Sequence, residues 1–351
     1  MKKVAFFDTK PYDKYWFDKL NPGYEMIYFE SKLNARSATL ANGCEAVCVF
    51  VNDTVDAETI DRLYRQGTRV LALRCAGYNN VDRKAAYGKL TIVRVPAYSP
   101  NAIAEHAIGL LMCLNRRIHR AYIRSRDFNF SLVGLTGIDL HGKTVGVIGT
   151  GRIGRAFIDI CRGFGMRVLA YDPFPAQGSE LHYVPLDTLL AESDVISLHC
   201  PLTRENHHLL DAAAFGKMKK GAFLINTSRG ALIDSEALLA ALNDGTLRGA
   251  GLDVYEEEAE LFFEDNSDAP VLDETLSLLI SRPNVILTSH QAFLTEEALE
   301  DIARTTYRNL AEAFSDSPTL TNEICYHCPE RKANPTCRST RQERCFPLTA
   351  G

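Results

Sequence analysis

The sequence has no apolar run long enough to cross a bilayer, no marked excess of one charge, and no repeat of fixed period, and each of these excludes a class of protein. The longest apolar helical candidate, Ala102 to Leu114, is interrupted by Glu105 and His106 and falls well short of the roughly 20 residues a membrane helix needs. After the opening lysines the apolar stretch runs only from Val4 to Phe7 before Asp8, too short for a secretory leader, so the chain is expected to be cytoplasmic and to have no membrane partner. The 39 basic residues are balanced by 44 acidic ones, a formal charge of -5, which gives no electrostatic reason to expect a nucleic-acid partner. Without a repeat, solenoids and propellers drop out. At 351 residues and 46% hydrophobic, the chain can form two ordinary globular domains.

Of ten cysteines, Cys44, Cys48, Cys75, Cys113, Cys161 and Cys200 stand singly among apolar residues, as reduced and buried thiols do. The other four, Cys325, Cys328, Cys337 and Cys345, crowd the last 27 residues. The wide spacing of the second pair is unlike a zinc knuckle, and residues 326–351, with five basic and two acidic residues and little apolar periodicity, are expected to be disordered. The acidic stretch Glu256 to Glu274 lacks the odd-position carboxylates of a calcium loop, so no metal is expected.

Short β-branched or aromatic runs (Val4–Phe7, Glu45–Val51, Val70–Leu73, Thr91–Val95) alternate with polar helical stretches in the first part of the chain. A helix is predicted from Asn101, placed as its N-cap, to about Arg126, and it links two domains. A second series of strands follows at Thr144–Gly149, Arg167–Tyr171, Val195–His199, Ala222–Ile225, Gly249–Val254 and Val285–Thr288, with a final helix from Thr295 to about Ala313. Continuous apolar strands between helices predict an α/β fold of two Rossmann-like domains with parallel sheets. The nucleotide-binding domain, 101–291, is inserted into a discontinuous substrate domain, 1–100 and 292–325.

GTGRIG at Gly149 to Gly154 directly follows an apolar strand and opens a helix, the context that makes this motif informative. Gly149 permits the turn, Gly151 lets the backbone approach a pyrophosphate at the helix N-terminus, and Gly154 allows the helix close to the sheet. Asp172, at the end of the next strand, can accept both hydroxyls of an adenosine ribose. The following Pro173 and Phe174 offer no arginine for a 2′-phosphate, so the cofactor is expected to be NAD.

Three later strands each end in a polar residue. Arg229, beside Gly230, can turn a rigid guanidinium fork toward a carboxylate. Asp253 closes another strand, with Glu258 five residues on. His290 ends the third, and histidine is the side chain best matched to giving a proton to a developing alkoxide near neutral pH, with Glu258 holding it charged and oriented. Singly, each has an ordinary structural reading; the case lies in their conjunction.

GTGRIG, HCPLT at His199–Thr203, NTSRGALID at Asn226–Asp234, LDVYE at Leu252–Glu256 and TSHQAF together resemble the D-2-hydroxyacid dehydrogenases. ALRCAGYNNVD at Ala72–Asp82 and VPAYSPNAIAEH at Val95–His106 resemble that family's D-lactate dehydrogenase branch. The resemblance runs from Val4 to about Cys325 and implies NADH-dependent, reversible reduction of pyruvate to D-lactate. It implies Arg229, Glu258 and His290 as catalytic residues and Ala76, Gly77, Tyr98 and Phe293 as further substrate contacts. It also implies NAD contacts from Arg152, Ile153, Cys200, Pro201, Asn206, Thr227, Ser228 and Asp253. It implies a homodimer joined through the nucleotide domains, the helix carrying Ala104 to His119 being part of the contact. A bulkier 2-keto acid or hydroxypyruvate as substrate, and more remotely an NAD-sensing corepressor, are the alternatives.

Overall fold

A computed structural model describes residues 1–258, 261–263, 265–268, 271–315 and 320–326. The proposed disordered segment lies outside them save for Tyr326, as do Cys328, Cys337 and Cys345. The chain divides into two compact units, residues 1–99 with the described residues from Thr295 on, and Pro100–Leu294.

In chain order the first unit opens with β1 (Lys3–Phe6), α1 (Pro11–Leu20), β2 (Glu25–Tyr28), β3 (Ala46–Val49), α2 (Ala57–Arg65), β4 (Val70–Leu73), α3 (Arg83–Ala86) and β5 (Thr91–Arg94). The second contains α4 (Pro100–Arg116), α5 (Ile118–Arg126), β6 (Thr144–Ile148), α6 (Arg152–Gly163), β7 (Arg167–Tyr171), α7 (Leu186–Glu192), β8 (Val195–Leu198) and α8 (Ala212–Gly216). It continues through β9 (Ala222–Asn226), α9 (Ser235–Asn243), β10 (Leu247–Leu252), α10 (Glu274–Ser281) and β11 (Val285–Leu287), after which α11 (Glu296–Phe314) belongs to the first unit again.

The first unit is a five-stranded parallel sheet in the order β2-β1-β3-β4-β5. β3 and β4 are buried along their whole length, as their uninterrupted apolar sequences require of central strands. β2 went unread in the sequence because it is an edge strand, half-buried at all four residues and without a continuous apolar run. α11 starts where the sequence puts it, with the Thr295 side chain capping Ala298 N, and it is pinned to the sheet layer by Tyr307 Oη donating to Phe17 O and Asn309 Nδ2 donating to Arg94 O.

The second unit is a six-stranded parallel sheet in the order β11-β10-β9-β8-β6-β7, with one hydrophobic core on each face. One is built on α4 and α6 (Ala107, Leu111, Phe157, Cys161), the other on α7 to α10 (Leu189, Phe215, Leu238, Leu279). The order reverses between β6 and β8, and ligands of open parallel sheets gather at the strand carboxyl ends beside such a reversal.

The single helix expected over 101–126 is two helices. Arg117 takes the left-handed conformation, φ 50° and ψ 38°, between them. No glycine or proline marks that break; it is fixed from outside the helix, where buried Asn115 exchanges two hydrogen bonds with Ile138 and Arg117 donates to Pro283 O. Nor is Asn101 an N-cap: the helix already includes Pro100, whose fixed φ suits a first turn. Among the described residues no helix is long and apolar enough to cross a membrane.

Candidate active site

The glycine-rich turn packs as its motif demands. Gly149 has φ +94°, and a Cβ there would stand 2.5 Å from His199 O, while one on Gly154 would meet Gly149 O at 2.1 Å. Gly151, by contrast, faces open space and N-caps α6 with no side chain bonding the first turn, so those N–H groups remain for an anionic ligand. Asp172, at the end of β7, accepts from Thr150 N and Oγ1 with one oxygen and from Phe174 N with the other. A carboxylate offers about four acceptor sites, so capacity remains for a ribose diol. The Thr150 hydroxyl is also bonded to Tyr183, and neither residue had a signal in the sequence.

Thr227 is buried and its hydroxyl finds no partner in the protein, an orphan that a bound ligand can satisfy. Ser228 is tied down by its hydroxyl to Leu198 O. Asn206 accepts from Thr203 N and donates to Pro201 O, so it braces the turn after β8. Burial pushes the Cys200 thiol up to about 11, which keeps it neutral. Exposed Arg152 and half-buried Ile153 form the start of α6. The open turn, uncapped helix, ribose-side carboxylate and orphan hydroxyl fit a dinucleotide.

His199 is buried beside Phe157 and bonded through Nε2 to Ser197 Oγ, and burial pushes its pKa down to about 3. The unfolded chain takes up that proton near pH 6.5, the folded chain only near 3, so this histidine's contribution is whole above about 6.5 and is lost as pH falls between those values. Asp53 in the first unit has the opposite sign: burial raises it to about 6, so its contribution grows as pH falls from 6 toward 4. Each slope approaches about 1.4 kcal/mol per pH unit. Acidification from pH 6.5 to 5 is therefore expected to weaken the second unit selectively, and His199→Gln to remove most of that loss. Urea unfolding at both pH values checks this; equal acid losses in the two proteins refute it.

Arg229 leaves β9 in a turn locked on every side. Asn226 accepts from Ser228 N and donates to Arg229 O, Arg229 Nη1 donates to Ser228 O, and a Cβ on Gly230 would collide with the Tyr255 and Glu256 backbone at 2.0 to 2.4 Å. That contact lays the Arg229 turn against the segment carrying Glu258. Glu258 accepts from Tyr255 N through Oε2, while its Oε1 lies 2.8 Å from His290 Nδ1. Nδ1 being engaged, Nε2 is the ring nitrogen that can face a substrate.

Asp253 is fully buried, and its oxygens accept from Thr288 Oγ1, Gln291 N and Ala292 N, while its carbonyl accepts from His290 N. In this arrangement the carboxylate holds the His290 loop. His290 sits at φ +57°, a conformation that this loop imposes. His106 of α4 stands 3.1 Å from Thr288 Oγ1 and 3.4 Å from Asp253, so it joins the same network. His106 and Thr288 lie 182 residues apart in the chain, a meeting that no local sequence pattern signals.

Of the remaining candidates, Ala76 and Gly77 have their carbonyls engaged by Arg94 and the Cys75 thiol within the first unit. Phe293 is buried at the end of the second unit and Tyr98 is half-buried near the end of the first segment. A cleft of about 380 Å³ between Tyr12, Tyr15, Trp16, Lys19 and Glu296 contains none of the candidate residues and has no part in this chemistry.

Comparison with known proteins agrees with this geometry. The family described as D-isomer specific 2-hydroxyacid dehydrogenase, NAD binding domain, matches residues 108–292. D-lactate dehydrogenase of Escherichia coli is 53% identical over 328 residues, 92% of this chain and 99% of that one. The apo-structure of D-lactate dehydrogenase from Escherichia coli superposes with a TM-score of 0.84 at 51% identity, over 92% of this chain and 99% of that chain. Salmonella D-lactate dehydrogenase superposes at 0.80 and 55% identity, over 89% and 97%. The chain therefore belongs to the D-isomer specific 2-hydroxyacid dehydrogenases, NAD-binding oxidoreductases.

Proposed function

We propose that this chain is a D-lactate dehydrogenase that reduces pyruvate to D-lactate, reversibly, and the observation that carries the reading is the Glu258–His290 pair at 2.8 Å. Bound NADH supplies the hydride that reaches C2 of the keto acid. Arg229 grips the substrate carboxylate and draws charge toward the carbonyl oxygen, its turn being fixed before substrate arrives. Protonated His290 gives the proton from Nε2, and Glu258 holds the ring at the correct angle through Nδ1. Ala76 and Gly77, through backbone N–H groups, and Tyr98 and Phe293, through bulk, complete the substrate contacts.

The homodimer is part of this proposal. The apolar residues of α4, Ala104, Ala107, Leu110, Leu111 and Leu114, are used in the core of their own unit, so that face of the helix is not available as a contact. Beyond it α5 buries nothing, and Tyr122, Ile123, Phe128, Phe130, Leu132 and Val133 are all more than half exposed. Exposed apolar residues gathered in one stretch of chain favour cover by a second copy.

The purified protein is expected to oxidise NADH faster with pyruvate than with 2-ketoisocaproate or hydroxypyruvate, to yield D-lactate on chiral analysis, and to scatter light as two chains. Preference for a larger keto acid would overturn the substrate, and a mass of one chain would overturn the dimer.

A further inference from the structure

We propose that His207, His208 and Glu256 form a binding site for a divalent transition-metal ion of the zinc type on the second unit, apart from the catalytic residues. One ligand atom from each of the three lies within 4.8 Å of the others. The histidines belong to the turn between β8 and α8, and Glu256 follows β10, so 48 residues of chain separate His208 from its carboxylate partner. That separation is why the acidic stretch beginning at Glu256 looked metal-free as sequence: the nitrogen ligands come from elsewhere.

Adjacent side chains usually diverge, but His208 takes a left-handed backbone, φ +52°, and its ring stands 4.0 Å from that of His207. This conformation is uncommon for a residue other than glycine, and it is held by His208 N donating to Ala231 O and by Leu209 N donating to Asn206 O. The opposite wall is equally fixed, because the Tyr255–Glu256 backbone packs against Gly230. The ligand-bearing segments are thus set before any ion binds.

Two imidazoles and one carboxylate are a zinc donor set that leaves a fourth position to water. Bonds of about 2.0 to 2.1 Å place tetrahedral ligand atoms about 3.3 Å apart. His208 Nε2 is 2.5 Å from Glu256 Oε1 and His207 Nε2 is 4.0 Å from it, so the separations straddle that value. The side chains are 53%, 34% and 20% exposed, and small rotations bring all three to it. Ser235 Oγ, 3.3 Å from Glu256 Oε2, orients the carboxylate from outside. Carboxylate, carbonyl and water suit magnesium and calcium; imidazole selects zinc, nickel and copper.

Cobalt(II) titration of the full chain, read by its visible bands, and zinc titration by competition with a chromogenic indicator test the site. The chain is expected to bind one equivalent that His207→Gln/His208→Gln loses or binds at least about tenfold more weakly. Cys325→Ser/Cys328→Ser should keep it, and the cobalt bands should lack the thiolate charge transfer of cysteine ligation. The doubly substituted histidine protein is expected to fold and to bind NADH as the parent does. Unchanged stoichiometry and affinity in that protein, or a thiolate band lost with the two cysteines, would overturn the proposal.

Discussion

His290→Asn is expected to lower turnover with pyruvate by roughly 10²- to 10⁴-fold, the range for removing a positioned general acid, while NADH binding and the urea midpoint stay near those of the parent. Asparagine is the informative replacement because of the backbone. His290 sits at φ +57°, where asparagine is tolerated better than alanine, so the loop need not rebuild. The loop is also held by backbone groups, His290 N to Asp253 O and Gln291 N and Ala292 N to the Asp253 carboxylate, none of which needs the imidazole. Glu258→Gln keeps an acceptor for Nδ1, since an amide oxygen can still accept from the ring, so its loss should be smaller than that of His290→Asn. If His290→Asn retains more than a tenth of parental turnover, another group gives the proton and the role assigned to His290 fails.

The sites legible in the sequence are those where one local rule decides the residue. The turn from Gly149 to Gly154 was readable because each glycine answers a separate steric demand, two of them collisions with named carbonyl oxygens. β4 and β7 have the bounds their apolar runs indicate. Arg229, Glu258 and His290 were readable as polar residues at or soon after strand ends, and the structure places Glu258 on His290. What stayed hidden depends on distant partners. The break at Arg117 answers to Pro283 and Ile138, β2 is an edge strand whose half-burial blurs its pattern, and the bracing of the His290 loop by Asp253 rests on partners on the β11 side. A pattern of period two or 3.6 reports which face is apolar, never which polar atoms a buried carboxylate will meet.

The same blindness hid Arg74, and its replacement is the larger stability test. Within the ALRCAGYNNVD segment it reads as an ordinary strand-end cation, yet it is only 1% exposed. Its guanidinium donates to Phe7 O and Asp8 O, lies 3.3 Å from Asp13 Oδ2 and stands over the rings of Phe6 and Phe50. Burial raises the pKa of Asp13 and of Asp53, and the Arg74 charge is the largest influence opposing that rise in both. Arg74→Met keeps an apolar stem against the two rings but leaves the Asp13 carboxylate without its buried partner, and breaking a buried ion pair from one side costs about 3 to 5 kcal/mol. A domain's whole stability is about 5 to 15 kcal/mol, so the transition of the first unit should move far toward low urea, separating from that of the second unit. Adding Asp13→Asn to Arg74→Met should restore part of the loss by removing one stranded charge, a coupling that simple loss of packing would not produce. A single-variant loss below about 1 kcal/mol, or a double variant weaker than the single, would mean that the carboxylates are neutral in the parent and that Arg74 contributes by packing alone.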